Sequence, residues 1–497
     1  MTNTDLITIL PALLLSAYAC LLMLADLLIP VHRKYWTAWL GLLGLVAGGV
    51  GMLWWPNVGY LPGFGGMVIA DGFALFLNIV FLVTGALAIL LALGYLPRTG
   101  IERGEFYVLL LFTLAGMMLM AQAADLIVVF LALEMLSIPL YILSGFARPR
   151  LSSEESAMKY FLLGAFASGF LVYGIALVYG ATGSTNLAAI VTAAQSAVTA
   201  TTPPQPVSGA LLLAGAALIL VGLGFKVAVV PFHMWTPDVY DGAPSVVTAF
   251  MSVGAKAAGF AALLRVFVTA FPDLAPQWAG LAAIIAALTM TVGNFAAIAQ
   301  SNIKRMLAYS SIAHAGYILM GLVAVGAASI KRDGELSDFS VGASIFYLLA
   351  YALTNLGAWA VVIAVERADG EGLSLDDYAG LGARRPGLAL AMALFMLSLT
   401  GLPPTVGFVA KFYVFRAAID GGYLWLTLVG VLTSLVSAYY YLRIVIIMYM
   451  REGEGRAVAP RALNFTVAFT ALATFVFGLL PSPLMALATN AVLGVMK

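Results

Sequence analysis

Residues 221–244 read VGLGFKVAVVPFHMWTPDVYDGAP. The stretch begins as an apolar helix, sets Lys226 among aliphatic neighbours, meets Pro231 five residues later and reaches His233 two beyond that. A lysine at bilayer depth costs at least about 2.5–3.5 kcal/mol, so it needs a reason to be there. A proline beside it removes a backbone hydrogen bond and frees a carbonyl to line a polar cavity. The stretch therefore reads as a broken transmembrane helix that carries a buried, titratable lysine.

The whole chain supports that reading. Of 497 residues 63% are hydrophobic and 9% charged, and the mean hydropathy is +1.03. Soluble domains carry about 25% charged residues, so the composition is that of an all-α polytopic membrane protein, helix packed on helix in lipid. A net charge of +1 argues against a nucleic acid partner. The one cysteine, Cys20, cannot form an internal disulfide and excludes a four-cysteine metal or iron–sulfur site. The N-terminal MTNTDL lacks a basic leader, and the apolar run to Ile29 is long enough to span, so it reads as an uncleaved first helix.

Apolar runs of spanning length fall at 6–29, 36–55, 72–96, 105–122, 125–146, 157–180, 209–235, 243–271, 277–299, 303–327, 339–365, 387–417, 422–450 and 463–492. These are fourteen expected transmembrane helices in a single membrane domain. Of the 24 Lys and Arg residues, 14 lie in the loops after odd-numbered segments, four in the alternate loops and the C-terminus, and six inside segments. The positive-inside rule then makes the odd-numbered loops cytoplasmic and puts both termini outside. The connection from Gly183 to Ser208 is uncharged, contains Pro203 and Pro204, and fits a cap on the outer surface. The PGFGGM run near Gly63 reads as a loop between the second and third helices.

A second proline-broken helix comes late, as LTGLPPTVGFVAKFYVF, with Pro403 and Pro404 between Gly401 and Gly407 and Lys411 beyond them. In the seventh segment the lysine precedes the break, and in the twelfth it follows. The loop charges run the two segments in opposite directions. Interrupted helices of opposite direction point to inverted repeats with sites at their interface. The expected units are two inverted five-helix repeats, segments 4–8 (residues 105–271) and 9–13 (residues 277–450), flanked by segments 1–3 (residues 1–96) and segment 14.

Few ionisable residues lie deep in these segments. Glu134, in VVFLALEMLSIPLY, is the one acid well inside a helix in mid-chain, with Lys226, Lys256 and Lys411 as basic counterparts. A snorkelling side chain or a fixed ion pair is the bland alternative for each, and it fits Lys411 best, since that residue lies nearer a helix end. Burial disfavours the charged form of a lysine and a nearby carboxylate restores it. Strengthening or weakening a Glu134–Lys226 pair would thus load or discharge a proton. Each charge moved against 100 mV needs about 2.3 kcal/mol, and no GxxxxGK[ST] loop, CxxCH or dinucleotide fingerprint is present to supply it. His233 reads as either a bridge from Lys226 to the cytoplasmic side or a structural histidine. His314, in AYSSIAHAGY, is either the second unit's counterpart of Glu134 or structural. Lys159 is a relay partner or a surface anchor. Lys304–Arg305 reads as an ordinary positive-inside anchor, Asp26, Arg265 and Arg443 as structural, and Tyr439–Tyr441 as interfacial packing.

GLGFKVAVVPFHMWTPDVYDGAPSVVTAF, SNIKRMLAYSSIAHAGY and GLPPTVGFVAKFYVF, in this order, resemble the antiporter-like membrane subunits of proton-pumping NADH–quinone oxidoreductase, respiratory complex I. The likeness runs over nearly the whole chain. It implies a bacterial inner-membrane subunit with a charged axis along the membrane middle. By that resemblance Glu134 is the coupling carboxylate paired with Lys226, the central proton carrier; Lys256 continues the path and Lys411 is the outward terminal carrier. It also implies sister antiporter-like subunits as partners, and places NADH, FMN, iron–sulfur clusters and quinone in other subunits, with no cofactor or metal in this chain. An Mrp-type cation/proton antiporter is the alternative, disfavoured because a Na⁺ site wants carboxylates and carbonyls rather than buried lysines. A third reading, a scaffold for pumping neighbours, leaves the buried charges unexplained.

Overall fold

The computed structural model describes residues 2–55, 59–199 and 208–491. Its helices are α1 (Asn3–Asp26), α2 (Tyr35–Met52), α3 (Gly72–Thr99), α4 (Glu105–Gln122), α5 (Leu126–Ser144), α6 (Leu151–Thr182), α7 (Leu187–Thr199), α8 (Gly209–Val227), α9 (Trp235–Gly242) and α10 (Ser245–Thr269). There follow α11 (Ala275–Ile298), α12 (Ile303–Lys331), α13 (Gly334–Val365), α14 (Leu381–Arg384), α15 (Pro386–Thr400), α16 (Val406–Asp420), α17 (Leu424–Met450), α18 (Arg461–Leu479) and α19 (Ser482–Asn490). Among the described residues thirteen helices are long and apolar enough to cross a membrane. The remaining expected span, segment 387–417, is the broken one: it is divided into α15 and α16, 15 residues each, neither long enough to cross by itself.

Several boundaries move, each for a local reason. The seventh segment is helical only as α8: the helix ends at Val227, Ala228 turns left-handed at φ +62°, and Pro231, with no N–H for the helical ladder, follows before α9 begins at Trp235. The fourteenth also breaks, at Pro481, into α18 and α19. The sixth starts earlier, at Leu151, so Lys159 sits about two turns inside it rather than one. The glycine run is not a plain loop. Strands β1 (Tyr60–Gly63) and β2 (Val68–Asp71) pair antiparallel there, Tyr60 opposite Asp71 and Gly63 opposite Val68. The connection after α6 carries α7, while Pro203 and Pro204 lie outside the described residues.

The bundle is layered by burial. Every residue of α10 is buried, the spanning window of α12 is wholly buried, and that of α13 nearly so. A helix apolar on all sides belongs at the centre of a bundle. In α1, α6 and α18 only a third of the window is buried, and side chains such as Phe166 and Leu472 face outward, where lipid would meet them. Close approach of α6 and α8 depends on Gly174 and Gly215; a Cβ on Gly215 would lie 2.9 Å from the Gly174 carbonyl oxygen.

Arg265, near the end of α10, is structural as its position suggested. Its guanidinium donates to both carboxylate oxygens of Asp71 at 2.9 Å, and its Nε donates to the Ala121 carbonyl at 2.9 Å. This buried fork ties α10 to the hairpin and to the end of α4. Asp26 is likewise committed, to Lys34 at 2.6 Å and Thr37 at 2.6 Å.

Candidate functional site

The two helix breaks expose carbonyls that side chains then satisfy. At the first, the Trp235 indole donates to the Phe225 carbonyl at 2.9 Å, and the Val230 N–H donates to Thr289 at 3.0 Å. At the second, α15 stops at Gly401, whose φ of +89° lies in the left-handed region that favours glycine. The freed carbonyls of Leu399 and Thr400 accept from Lys411 Nζ at 3.0 and 2.8 Å, and Ser434 accepts from the same ammonium at 2.8 Å. Lys226 occupies the last turn of α8. Lys411 thus meets the carbonyl end of a broken helix, where the helix dipole favours a cation, whereas Lys226 reaches away to hydroxyls of neighbouring helices.

The four residues singled out from the sequence lie along one polar row, in which Glu134 is half-buried and the three lysines are buried. On α5, Glu134 accepts from Ser168 of α6 at 2.5 Å. Three residues on, Ser137 accepts from Lys226 Nζ at 2.8 Å, and Tyr160 of α6 lies 3.1 Å from the same nitrogen. Glu134 and Lys226 make no ion pair; each is held by its own hydroxyl. Lys226 packs its stem on Gly259 of α10, where a Cβ would lie 3.3 Å from Lys226 Cγ. Three residues back along α10, Lys256 Nζ donates to the carbonyl and hydroxyl of Ser311 on α12, at 2.5 and 2.6 Å. No direct hydrogen bond joins Lys226 to Lys256 among the described residues.

From Ser311 the row continues along one face of α12. His314 is one turn on, with Nδ1 2.8 Å from the Tyr347 hydroxyl and Nε2 3.3 Å from that of Tyr441. Tyr317 is the next turn; its ring centroid lies 4.6 Å from Lys411 Nζ, and its hydroxyl meets Thr433 at 3.2 Å and Asn294 at 3.1 Å. The row so runs Glu134, Lys226, Lys256, His314, Lys411. All three lysines are at most 4% exposed, and none forms an ion pair among the described residues. Their acceptors are neutral hydroxyls and carbonyls. A lysine so held can lose its proton without stranding a partner charge, since a hydroxyl both accepts and donates.

Other expected positions stand apart. His233 lies in the break, half-buried, its Nδ1 without a hydrogen-bond partner among the described residues, and the structure does not bring it to Lys226. Lys159 is 40% exposed and pairs with Asp238 of α9 and Glu155, each at 2.7 Å. The hydrogen bond from Lys159 holds the Asp238 carboxyl below the usual carboxylate range. Two readings are corrected. Lys304 is no surface anchor: it is 3% exposed, with Nζ donating to the Ala243 carbonyl at 2.7 Å. Tyr440 and Tyr441 are not interfacial but wholly buried, and only Tyr439 points outward. Ser137, Ser168, Ser311 and Ser434 were missed. Their signal was helical spacing: Ser137 follows Glu134 by three, and Ser311 precedes His314 by three.

Residues 123–437 match the family described as NADH:quinone oxidoreductase/Mrp antiporter, transmembrane. The chain belongs to that family. A protein of Chloroflexus aggregans named NADH-quinone oxidoreductase subunit N is 50% identical over 97% of this chain and 96% of its own length. One of the same name from Trichlorobacter lovleyi is 46% identical over 98% and 97%. Among solved structures, a chain of respiratory complex I from Thermus thermophilus with bound Aureothin is 35% identical, with a TM-score of 0.79 over 96% of this chain and 99% of that one. The Mrp complex of a Dietzia species, 22% identical at a TM-score of 0.82 over 99% and 97%, shows the shared family fold alone.

Proposed function

We propose that this chain is a proton-translocating membrane-arm subunit of an NADH–quinone oxidoreductase, with no redox centre of its own. The observation that carries the reading is the row of three buried lysines held by neutral oxygens, with Glu134 one helical turn from the first lysine's serine. In this reading Glu134 is the coupling carboxylate, Lys226 the central carrier, Lys256 and His314 the link between the halves, and Lys411 the terminal carrier. A swing of Glu134 from Ser168 to Lys226 favours the protonated lysine, and its return releases the proton along the row. The basic loops face the cytoplasm of a bacterium and both termini the periplasm. NADH, FMN, iron–sulfur clusters and quinone belong to other subunits, and sister antiporter-like subunits lie alongside.

Lys226→Ala and Glu134→Ala, introduced into the whole complex, are expected to leave it assembled while reducing NADH-driven proton translocation. An assembled variant of either kind that pumps at the parent rate overturns the carrier role. Co-purification of the native complex decides against the Mrp-type alternative if peripheral redox subunits come with this chain.

A further inference from the structure

The corrected position of Lys304 leads to a second polar system. A cavity of about 260 Å³ opens at the face of the basic loops, where Lys304, Arg150, Asp241 and Glu366 line its wall. Glu366, the residue after α13, is 3% exposed. Its Oε1 accepts from the Tyr95 hydroxyl of α3 at 3.0 Å, and that hydroxyl accepts from the N–H of Ser245, the first residue of α10, at 3.2 Å. Its Oε2 is buried and has no hydrogen-bond partner among the described residues. Burying a carboxylate oxygen without a partner is costly.

That oxygen does not stand alone. Trp359 Nε1, Asn355 Oδ1 and Tyr351 hydroxyl are also buried without partners among the described residues. Counting back from Glu366 their spacings are seven, four and four residues. At 100° per residue the four side chains fall within an arc of about 80° on α13, over a length of about 22 Å. Buried polar groups go unpartnered only a few times per hundred residues, so four on one face of one helix is a pattern with direction. Its outer end is the cavity. At its inner end the Tyr351 ring lies 5.0 Å from that of His314. Midway, Asn355 Nδ2 donates to Ser252 of α10 at 2.8 Å, one turn before Lys256.

We propose that this face of α13 lines a file of water through which protons pass from the cavity to His314 and Lys256, with Glu366 as the intake residue. Resting on the function proposed above, the path names where the row is supplied from the basic-loop face. A proton from cavity water forms an O–H bond at Glu366 Oε2 and leaves along the file, so the carboxylate is regenerated and nothing is oxidised or reduced. Water suits the site because Glu366 Oε2, Trp359 Nε1 and Asn355 Oδ1 each have a hydrogen bond to offer it, and the Tyr351 hydroxyl at the inner end also faces Ser311. Lys304, Arg150 and Asp241 hold a mixed charge around the mouth, and Tyr95 fixes the Glu366 carboxyl.

The test uses the complete complex in native membranes. Glu366→Gln keeps an acceptor for Tyr95 but cannot carry a proton, and it lowers the protons moved per NADH oxidised; Glu366→Asp restores part of the loss. Trp359→Phe, which removes one donor from the wall, lowers the same ratio. An assembled Glu366→Gln complex with the parent ratio overturns the path. If Lys226→Ala pumps normally as well, the failure lies in the underlying function; if it does not, the α13 path alone is wrong. A water-resolving map of the parent complex decides without any variant. Ordered waters within hydrogen-bond distance of Glu366 Oε2, Trp359 Nε1 and Asn355 Oδ1 support the file, and a dry face overturns it.

Discussion

Gly401→Ala is the sharpest probe of how the second break holds its lysine. A Cβ at this position would lie 2.8 Å from Lys411 Cδ, inside any real contact distance, and would sit on backbone at φ +89°. The backbone alone costs about 1–2 kcal/mol for a residue with a side chain. Moving Lys411 breaks at least one of its bonds to the Leu399 and Thr400 carbonyls, and a hydrogen bond to a charged group contributes about 1.5–3 kcal/mol. Gly422→Ala is a matched control. Its φ is +93°, but the nearest atom to the added Cβ is Lys331 Nζ at 4.0 Å, so it pays the backbone cost without crowding a buried lysine. The two variants therefore differ by the displacement term alone, on the order of 13- to 160-fold in the population of the docked lysine. The assay is proton translocation per NADH oxidised, with complex content measured in the same membranes. Gly401→Ala is expected to lose proton translocation and Gly422→Ala to keep it. Equal behaviour of the two would refute the claim that Lys411 acts from its seat on the α15 carbonyls.

Other outcomes follow from the same geometry. Arg265→Met removes both guanidinium bonds from the buried Asp71 carboxylate, at a cost of about 3–5 kcal/mol; thermal unfolding of the purified complex should show it, and adding Asp71→Asn should recover part of the loss. The Lys159–Asp238 contact should be insensitive to pH from 6 to 8. Asp238 has a depressed pKa in the fold, so its contribution is present above the unfolded value of about 3.9 and fades only as pH falls through the lower folded value. Hydrogen-exchange protection factors in α9, corrected for the intrinsic amide rate at each pH, check the sign: lower protection at pH 3 than at pH 7 is expected, and no loss at pH 6.

The spans were legible because lipid leaves a backbone little choice but to form helices, and because charge is absent from them. Lys226, Lys256 and Lys411 were legible for the same reason: each is an expense among apolar neighbours. What holds them was not. A serine in a helix looks alike whether it bonds its own carbonyl or reaches a lysine ninety residues away, as Ser137 does for Lys226. The Glu134–Lys226 pair was anticipated from opposite charge, yet local hydroxyls satisfy both residues and keep them apart. Lys304 was misread because a basic residue at a helix start usually faces water, and no local pattern says that the loop after α13 folds over it. The breaks were signalled by proline, but Pro481 was passed over because apolar residues continue on both sides.

The burial of α10, α12 and α13 bears on how the protein meets membranes of different thickness. A helix in contact with lipid answers a thicker or thinner bilayer by tilting, at fractions of a kcal/mol per ångström of mismatch. That strain falls on α1, α6 and α18, which carry the outward faces. The inner helices touch protein on nearly every side, and the centre of the polar row, Lys256 and His314, is mounted on them. The spacing between those two groups is thus set by side-chain packing and not by acyl-chain length. The outer shell serves as a mechanical buffer, so a cell can remodel its lipids without retuning the distance between Lys256 and His314 at the centre of the row.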